Sequence, residues 1–175
     1  SIYIYIDLLA LELNDKLHLH PTLLAPAFAM AWKSASVITS AKPERVWEVY
    51  SALSWQEWDH DIAEVRAEGI GKAAGAIVNG ARVVITMVKD RKMHNATFRD
   101  VVQNQCFTYI APLPGSSLIA VHTLEPVAEG TRITHTFDFS GMFGGLYRWL
   151  TADWVQKGLD TNTVALKALA EVEPE

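Results

Sequence analysis

From residue 32 onward, apolar and polar side chains recur in regular patterns that predict strands and helices. Residues 32–39 alternate with period two and predict a first strand. Pro43 suits the first turn of a following helix, where its missing N–H is not needed. The apolar face of that helix comprises Val46, Trp47, Val49, Tyr50 and Leu53. Residues 54–60 then predict a second short helix.

Six further strands are predicted by period-two alternation between turn-forming residues. They cover residues 62–70, 76–88, 95–102, 106–111, 118–127 and 131–140. Asn79-Gly80 marks a turn or a bulge, residues 89–92 form a charged turn, and residues 112–117 form a loop. Together these make about seven strands in meander order, so neighbouring strands are expected to be antiparallel.

One long helix is predicted at the C-terminal end, because residues 146–172 contain no proline and a single glycine, Gly158. Its apolar residues recur at spacings of three and four, and they are Tyr147, Leu150, Trp154, Val155, Leu159, Leu166 and Leu169. Such a stripe must be buried against the sheet. The pattern therefore predicts an α+β fold in which a curved antiparallel sheet wraps around the long helix and leaves an apolar cavity between them.

The first 29 residues follow a different pattern, which is broken by Pro21 and Pro26 and which predicts no role. Met30 stands directly before the regular pattern. We therefore expect residues 1–29 to be an N-terminal extension that lies upstream of the natural start or was added by cloning. Residues 30–173 are expected to form one domain, since 175 residues suffice for a single core.

Composition and charge narrow the possible partners. A formal net charge of −5 without a basic run argues against a nucleic-acid partner. Cys106 is the single cysteine, which excludes an internal disulfide and favours a reducing cytoplasm. The apolar stretch of residues 21–32 contains a proline and is too short to span a bilayer, so no stable membrane insertion is expected. We expect neither a metal site nor a cofactor.

The last two predicted strands place candidate cavity residues on one face. By period two, Ile133, His135, Phe137 and Phe139 point the same way, and so do Leu118, Ala120, His122 and Leu124. If the apolar residues face inward, His135 does too. The candidate ligand-binding residues are Trp55, Trp58, Tyr109, His135, Phe137, Phe139, Tyr147, Leu150 and Trp154. Trp55, Trp58 and residues 112–117 are expected at the cavity mouth, with Leu150, Trp154, Val155 and Leu159 as its floor.

Catalytic chemistry has three weak candidates, namely His135, His122 and Tyr109. His122 and His135 lie in the two strands of one predicted hairpin, so a contact between them is compatible with acid or base chemistry. The alternative is that both are partly exposed sheet residues with structural hydrogen bonds. His94 is expected to be exposed.

Other polar residues have structural explanations. Neighbours in the segment 59–61 (Asp-His-Asp) are expected to point in different directions, and Asp153, Lys157 and Asp160 to form a solvated helix face. Cys106 is expected to be a buried, small apolar residue.

Several short motifs in this order resemble the SRPBCC superfamily. The motifs lie at residues 43–47 (PERVW), 53–59 (LSWQEWD), 113–115 (LPG), 122–125 (HTLE), 130–135 (GTRITH), 140–141 (SG) and 146–147 (LY). The superfamily contains START lipid-transfer domains, the major birch-pollen allergen and bacterial proteins similar to polyketide cyclases and dehydrases. The resemblance covers Trp32 to about Glu171 and implies a helix-grip fold that holds a hydrophobic or polycyclic molecule. It implies no universal catalytic residue.

Three functions remain open at this point. The first is binding or transport of a hydrophobic small molecule, such as a lipid, a polyketide or an aromatic compound, in the cavity. The second is an enzyme similar to polyketide cyclases or dehydratases that acts in the same cavity. The third is an interaction protein that uses its surface, and a homodimer is compatible with each.

Overall fold

The computed structural model describes residues 32–68 and 77–172. The predictions for residues 1–29, for the strand ends at residues 69–70 and 76, and for the end of the domain at residue 173 lie outside the described residues. The division of the chain at residue 30 therefore stays a prediction.

The described strands form one antiparallel sheet, as predicted. In chain order the strands are β1 (Lys33–Thr39), β2 (Ile62–Glu68), β3 (Arg82–Met87), β4 (Met93–Val102), β5 (Cys106–Leu113), β6 (Ser116–Val127) and β7 (Gly130–Ser140). Their order across the sheet is β1-β7-β6-β5-β4-β3-β2. The strands from β2 to β7 thus form a meander, and β1 pairs with β7 at the far edge.

Helix α1 (Pro43–Ser51) connects the two edges of the sheet. Its predicted apolar face is buried, apart from Leu53, which follows the helix with a positive φ of 53°. The second helix is shorter than predicted, because only a single 3₁₀ turn forms (Trp55–Glu57). Trp55 and Trp58 are both buried in the core at this turn, so a longer helix is not needed to place them.

The predicted loop at residues 112–117 is a tight turn instead. Pro112 and Leu113 extend β5 and pair with Ser117 and Ser116 of β6. Only Pro114 and Gly115 lie between the strands, and Gly115 has a φ of 63°. Strand pairing therefore extends further than the proline and glycine content indicated.

Helix α2 (Gly144–Ala170) is the predicted long helix, shifted by two residues toward the N-terminus. Its buried residues are Gly144, Tyr147, Thr151, Val155, Leu159, Asn162, Thr163, Leu166 and Ala170. The buried stripe thus contains polar residues that the apolar pattern did not include. Thr151 and Thr163 keep a hydrogen bond when they are buried. Each hydroxyl donates to the carbonyl oxygen four residues earlier, at 2.8 and 2.6 Å.

Two apolar clusters fill the space between α2 and the sheet. The larger contains residues of α1, of the 3₁₀ turn, of strands β2 to β7 and of the C-terminal part of α2. The smaller joins Phe139 to Tyr147, Val155 and Leu159 of α2. The seven-stranded curved sheet around one long helix is the helix-grip fold.

Candidate functional site

A cavity of about 120 Å³ lies between α2 and the sheet. Its walls are mainly apolar and come from the 3₁₀ turn, from strands β2 to β7 and from α2. The volume is comparable to that of an apolar protein cavity that holds one aromatic ring.

His122 and His135 face each other across β6 and β7, as predicted. Their rings lie 4.5 Å apart, centroid to centroid, at 64°. The expectation that they are partly exposed is wrong, because the residues are 3% and 2% exposed. The Tyr50 ring of α1 packs against both histidines, and Trp58 packs against His135. Both histidines line the cavity.

His135 is paired with a tyrosine that the sequence did not single out for this role. Its Nε2 atom lies 2.7 Å from the hydroxyl oxygen of Tyr50 on α1, and the direction of the hydrogen bond depends on the tautomer of the imidazole. Burial lowers the pKa of His135 to about 3 and raises the pKa of Tyr50 well above its usual range. Both groups are therefore uncharged at neutral pH.

His122 lies among aromatic rings. It stacks on Phe107 at 4.4 Å and 5°, and its pKa is well below the ordinary value because of burial and the proximity of His135. Its Nδ1 atom is buried without a hydrogen-bond partner in the described part of the chain. A ligand in the cavity can therefore reach a ring nitrogen of His122 only through Nε2. An N–H group that is buried without an acceptor costs more free energy than a lone pair that is buried without a donor. The proton of the neutral imidazole is therefore assigned to Nε2.

Tyr109, the third weak catalytic candidate, is brought to the same wall. The residue is 7% exposed, and its ring lies 5.6 Å from His122 and 5.7 Å from Trp55. The structure thus places all three weak candidates at one cavity.

The two tryptophans line the cavity from inside rather than at its mouth. Trp55 and Trp58 are 1% and 2% exposed, which corrects the expectation of a position at the mouth. The Trp55 indole Nε1 donates to the carbonyl oxygen of Tyr50 at 2.9 Å. The Trp58 Nε1 is buried and has no hydrogen-bond partner among the described residues.

The other end of the cavity is aromatic as well. Phe137 and Phe139 line it, and Phe139 stacks on Tyr147 of α2 at 5.4 Å and 19°. Trp154 also lines the cavity but is 41% exposed, so it lies at the rim and not in the floor. Leu150 does not line the cavity and packs against the Phe139 cluster.

Two other wall positions were predicted incorrectly. Ile133 is fully buried in the larger cluster and is not part of the cavity wall. In the turn at residues 112–117, only Leu113 lines the cavity.

The structure adds two carboxylates that sequence reasoning dismissed. Asp59 and Asp61 both line the cavity, while His60 between them is exposed. Neighbouring side chains do point in different directions, since His60 is exposed, but the sequence pattern did not indicate that the two aspartates line one cavity. Both lie in a turn, in which the Ile62 N–H donates to the Asp59 carbonyl oxygen at 3.1 Å, so strand periodicity does not account for their position.

The Asp59 carboxyl group has a raised pKa. Burial raises it to about 7, the Asp61 charge adds to the rise, and hydrogen bonds from the Asp61 backbone and the Asn162 side chain oppose it. The Asp61 N–H donates to Asp59 Oδ1 at 3.0 Å. Burial also raises the pKa of Asp61, against the opposing charges of His60 and Lys89. Asp59 is therefore an ionisable group of the cavity that titrates near neutral pH.

Several other residues that the sequence analysis discussed can be placed. His94 is half-buried and lines the cavity, contrary to the expected exposure. Asp153, Lys157 and Asp160 are exposed on α2, as expected. Cys106 is half-buried, not buried, and its Sγ donates to the Asp100 carbonyl oxygen at 3.4 Å.

Within the described ranges, no group of three or more His, Cys, Asp or Glu side chains is placed to hold a metal ion. No helix in residues 32–68 or 77–172 is long and apolar enough to cross a membrane.

The model of one protein family, polyketide cyclase / dehydrase and lipid transport, matches residues 31–171. None of the curated proteins is significantly similar to the chain.

Solved structures with the same fold come from several sources. TTHA0849 from Thermus thermophilus is 18% identical, with 79% of this chain and 95% of that chain covered and a TM-score of 0.58. The protein jhp0584 from Helicobacter pylori is 11% identical, with 87% and 100% covered and a TM-score of 0.65. The di-domain ARO/CYC StfQ from the steffimycin biosynthetic pathway is 14% identical, with 79% and 49% covered and a TM-score of 0.60.

Proposed function

The chain belongs to the polyketide cyclase / dehydrase and lipid transport family, and on that premise we propose that it binds one small hydrophobic molecule, the size of a single aromatic ring, between the sheet and α2. The observation that carries the proposal is the partly enclosed aromatic cavity of about 120 Å³. Its polar groups are few, as is typical of a small-molecule site.

Apolar burial accounts for the expected affinity. A buried aromatic ring removes about 150–200 Å² from water, which favours binding by roughly 4–5 kcal/mol at about 25 cal/mol per Å². Because about 4 kcal/mol corresponds to 1 mM and the costs of association reduce the net gain, a dissociation constant of about 1 mM or weaker is expected for a minimal ring. His122 Nε2–H supplies a donor for an oxygen of the ligand.

The test uses benzyl alcohol as a neutral single-ring probe, followed by ligand-observed and protein-observed NMR. Ala111 is 4% exposed and lines the cavity, so Ala111→Leu fills part of the space. The matched control is Ala128→Leu on the exposed turn between β6 and β7. We expect Ala111→Leu to weaken binding at least about fivefold and the control to leave it unchanged. Equal binding by both variants, or no binding by the wild type, overturns the proposal.

Native mass spectrometry of the protein purified from its own host complements the probe experiment. A retained adduct with the mass of a small apolar molecule supports the proposal and names the ligand class. A retained polycyclic or acyl-chain molecule contradicts the expected size.

One observation favours an enzyme that acts in the same cavity as the second candidate. Asp59, with a pKa of about 7, suits acid or base work near neutral pH better than the two histidines. His135 is engaged by Tyr50 and its pKa is about 3. In this reading Asp59, and not His135, His122 or Tyr109, exchanges the proton. Suppose that a ligand isolated with the protein is turned over by the wild type. If Asp59→Asn still binds this ligand but no longer turns it over, the enzyme hypothesis is supported.

One observation favours a surface-mediated interaction as an alternative: Trp149 on α2 is 77% exposed. A homodimer through this surface stays a proposal, as does the cytoplasmic location. Sedimentation of the wild type and Trp149→Ala at several concentrations tests the dimer.

A further inference from the structure

The imidazole of His122 presents one hydrogen-bond donor to the cavity. Its Nδ1 atom is sealed and has no hydrogen-bond partner among the described residues, whereas Nε2 is not sealed in this way. The residue is 97% buried and lines the cavity, so Nε2 is the ring nitrogen that faces the open space. Because the proton of the neutral ring is on Nε2, a ligand meets an N–H group here. Buried N–H groups are nearly always paired, and an oxygen of a ligand would supply the acceptor.

The hydroxyl group of Tyr50 fixes the tautomer of His135. Tyr50 is fully buried, and its hydroxyl oxygen lies 2.7 Å from His135 Nε2. Within residues 32–68 and 77–172 this hydroxyl has no second hydrogen-bond partner. If the imidazole donated, the hydroxyl hydrogen would be buried without an acceptor, which costs free energy. The hydroxyl therefore donates to Nε2, and the proton of the neutral imidazole is on Nδ1.

The Nδ1–H group of His135 is a second donor on the same wall. This nitrogen is not sealed and has no hydrogen-bond partner in the described part of the chain, and His135 lines the cavity. His122 and His135 lie opposite each other on β6 and β7, with ring centroids 4.5 Å apart. Burial lowers the pKa of both rings, so neither is charged at neutral pH. The wall thus presents two neutral N–H donors side by side.

Two neighbouring donors select the polar group of the ligand. A carbonyl oxygen has two lone pairs and brings no hydrogen, whereas a hydroxyl group adds a third donor. A carboxylate is disfavoured, because Asp59 and Asp61 line the same cavity and none of the described lining residues is lysine or arginine. Phe137 lies two residues from His135 on the same face of β7 and lines the cavity, so an aromatic ring fits next to the donors.

Resting on the proposed function, we propose that the ligand is a single-ring aromatic carbonyl compound, such as a ketone, whose oxygen accepts hydrogen bonds from His122 Nε2 and His135 Nδ1. The two histidines are then specificity-determining residues of the cavity. Tyr50 acts through His135, because its hydroxyl group decides which ring nitrogen carries the proton.

The two tautomers are tested first, without a ligand. Long-range proton–nitrogen NMR spectra of the full chain with isotope-labelled histidine distinguish a protonated ring nitrogen from a bare one. We expect the proton on Nε2 in His122 and on Nδ1 in His135. A wild type in which His122 is protonated on Nδ1, or His135 on Nε2, overturns the proposal, because one of the two donors is then missing.

The ligand experiment compares two probes with the same carbon skeleton, acetophenone and 1-phenylethanol, by NMR titration of the full chain. We expect acetophenone to bind at least about fivefold more tightly, because the alcohol adds a donor to a wall of donors. His122→Leu should reduce this preference to less than about twofold. Thr123→Leu is the matched control, since Thr123 is exposed on the other face of β6, and it should preserve the preference.

The outcomes separate the two proposals. Equal binding of acetophenone and 1-phenylethanol, or tighter binding of benzoate than of acetophenone, overturns the carbonyl proposal and leaves the single-ring cavity in place. Failure of all three probes to bind overturns the proposed function itself. If His122→Leu does not fold, the wild type decides, because bound acetophenone should shift the nitrogen resonances of His122 Nε2 and His135 Nδ1. Binding that shifts neither resonance contradicts the carbonyl proposal.

Discussion

The raised pKa of Asp59 makes a quantitative prediction about stability. The perturbation is Asp59→Asn, which preserves the size of the side chain and an oxygen that accepts the Asp61 N–H but cannot ionise. The wild type must either protonate this group or desolvate its charge on folding. We therefore expect the difference in the free energy of unfolding between the wild type and Asp59→Asn to depend on pH.

The magnitude follows from the two pKa values. Between the ordinary value of 3.8 and the folded value of about 7, the folded protein holds a proton that the unfolded chain has lost. Stability from this group is therefore greatest at low pH and is lost as the pH rises toward 7. At about 1.4 kcal/mol per pH unit below 7, the wild type should lose about 2 kcal/mol relative to the variant between pH 5.5 and 8.5.

His122 and His135 act in the opposite direction. Their pKa values are lowered in the folded protein, so the unfolded chain takes up protons first as the pH falls below about 6.5. This lowers stability in acid for both proteins alike. The histidine contribution therefore cancels in the difference between the wild type and Asp59→Asn.

The assay is equilibrium unfolding in urea, followed by tryptophan fluorescence, at pH 5.5, 6.5, 7.5 and 8.5. Asp153→Asn serves as the control, because it removes the same charge from an exposed position. A difference between the wild type and Asp59→Asn that stays constant within about 0.5 kcal/mol would refute the reasoning. It would mean that the Asp59 carboxylate is hydrated and ionised throughout.

Three further substitutions test other parts of the structure by urea unfolding. Gly158→Ala should stabilise the protein by about 0.5–1 kcal/mol, because alanine is the better helix former and its Cβ makes only an ordinary contact. A Gly158→Ala variant that is no more stable than the wild type would contradict this reasoning. Tyr50→Phe should cost about 1–3 kcal/mol, since it removes the hydrogen bond to His135, and a neutral result would show that water replaces the hydroxyl. Gly130→Ala should cost at least about 2 kcal/mol, because φ is 134° and the new Cβ would clash with a backbone oxygen of β1, and an unchanged unfolding midpoint would exclude that clash.

Strand periodicity correctly predicted the architecture. The alternation of Ile133, His135, Phe137 and Phe139 placed the right face of β7 inward, and the hairpin brought His122 opposite His135. Period two is a property of the backbone, so it is readable from one strand alone. The meander order followed from the short connections between successive strands, and the long helix followed from apolar spacings of three and four in a segment without proline.

The walls of the cavity were predicted only in part. Helical spacing favoured Leu150 and Trp154 as buried residues, but α2 buries Thr151 and Asn162 instead. Threonine is accepted there because its hydroxyl bonds within the helix, which hydrophobicity alone does not indicate.

The sequence by itself determined the helix-grip architecture, the inward face of the last two strands and the hairpin that contains the two histidines, because these depend on local periodicity and on the connection of neighbouring strands. The tertiary structure alone decided the chemistry of the cavity. Tyr50 reaches His135 from a helix 85 residues away, and Asp59 acquires a pKa of about 7 from burial against α2. Solvation and long-range contacts set both properties, and they arise only when distant segments pack together.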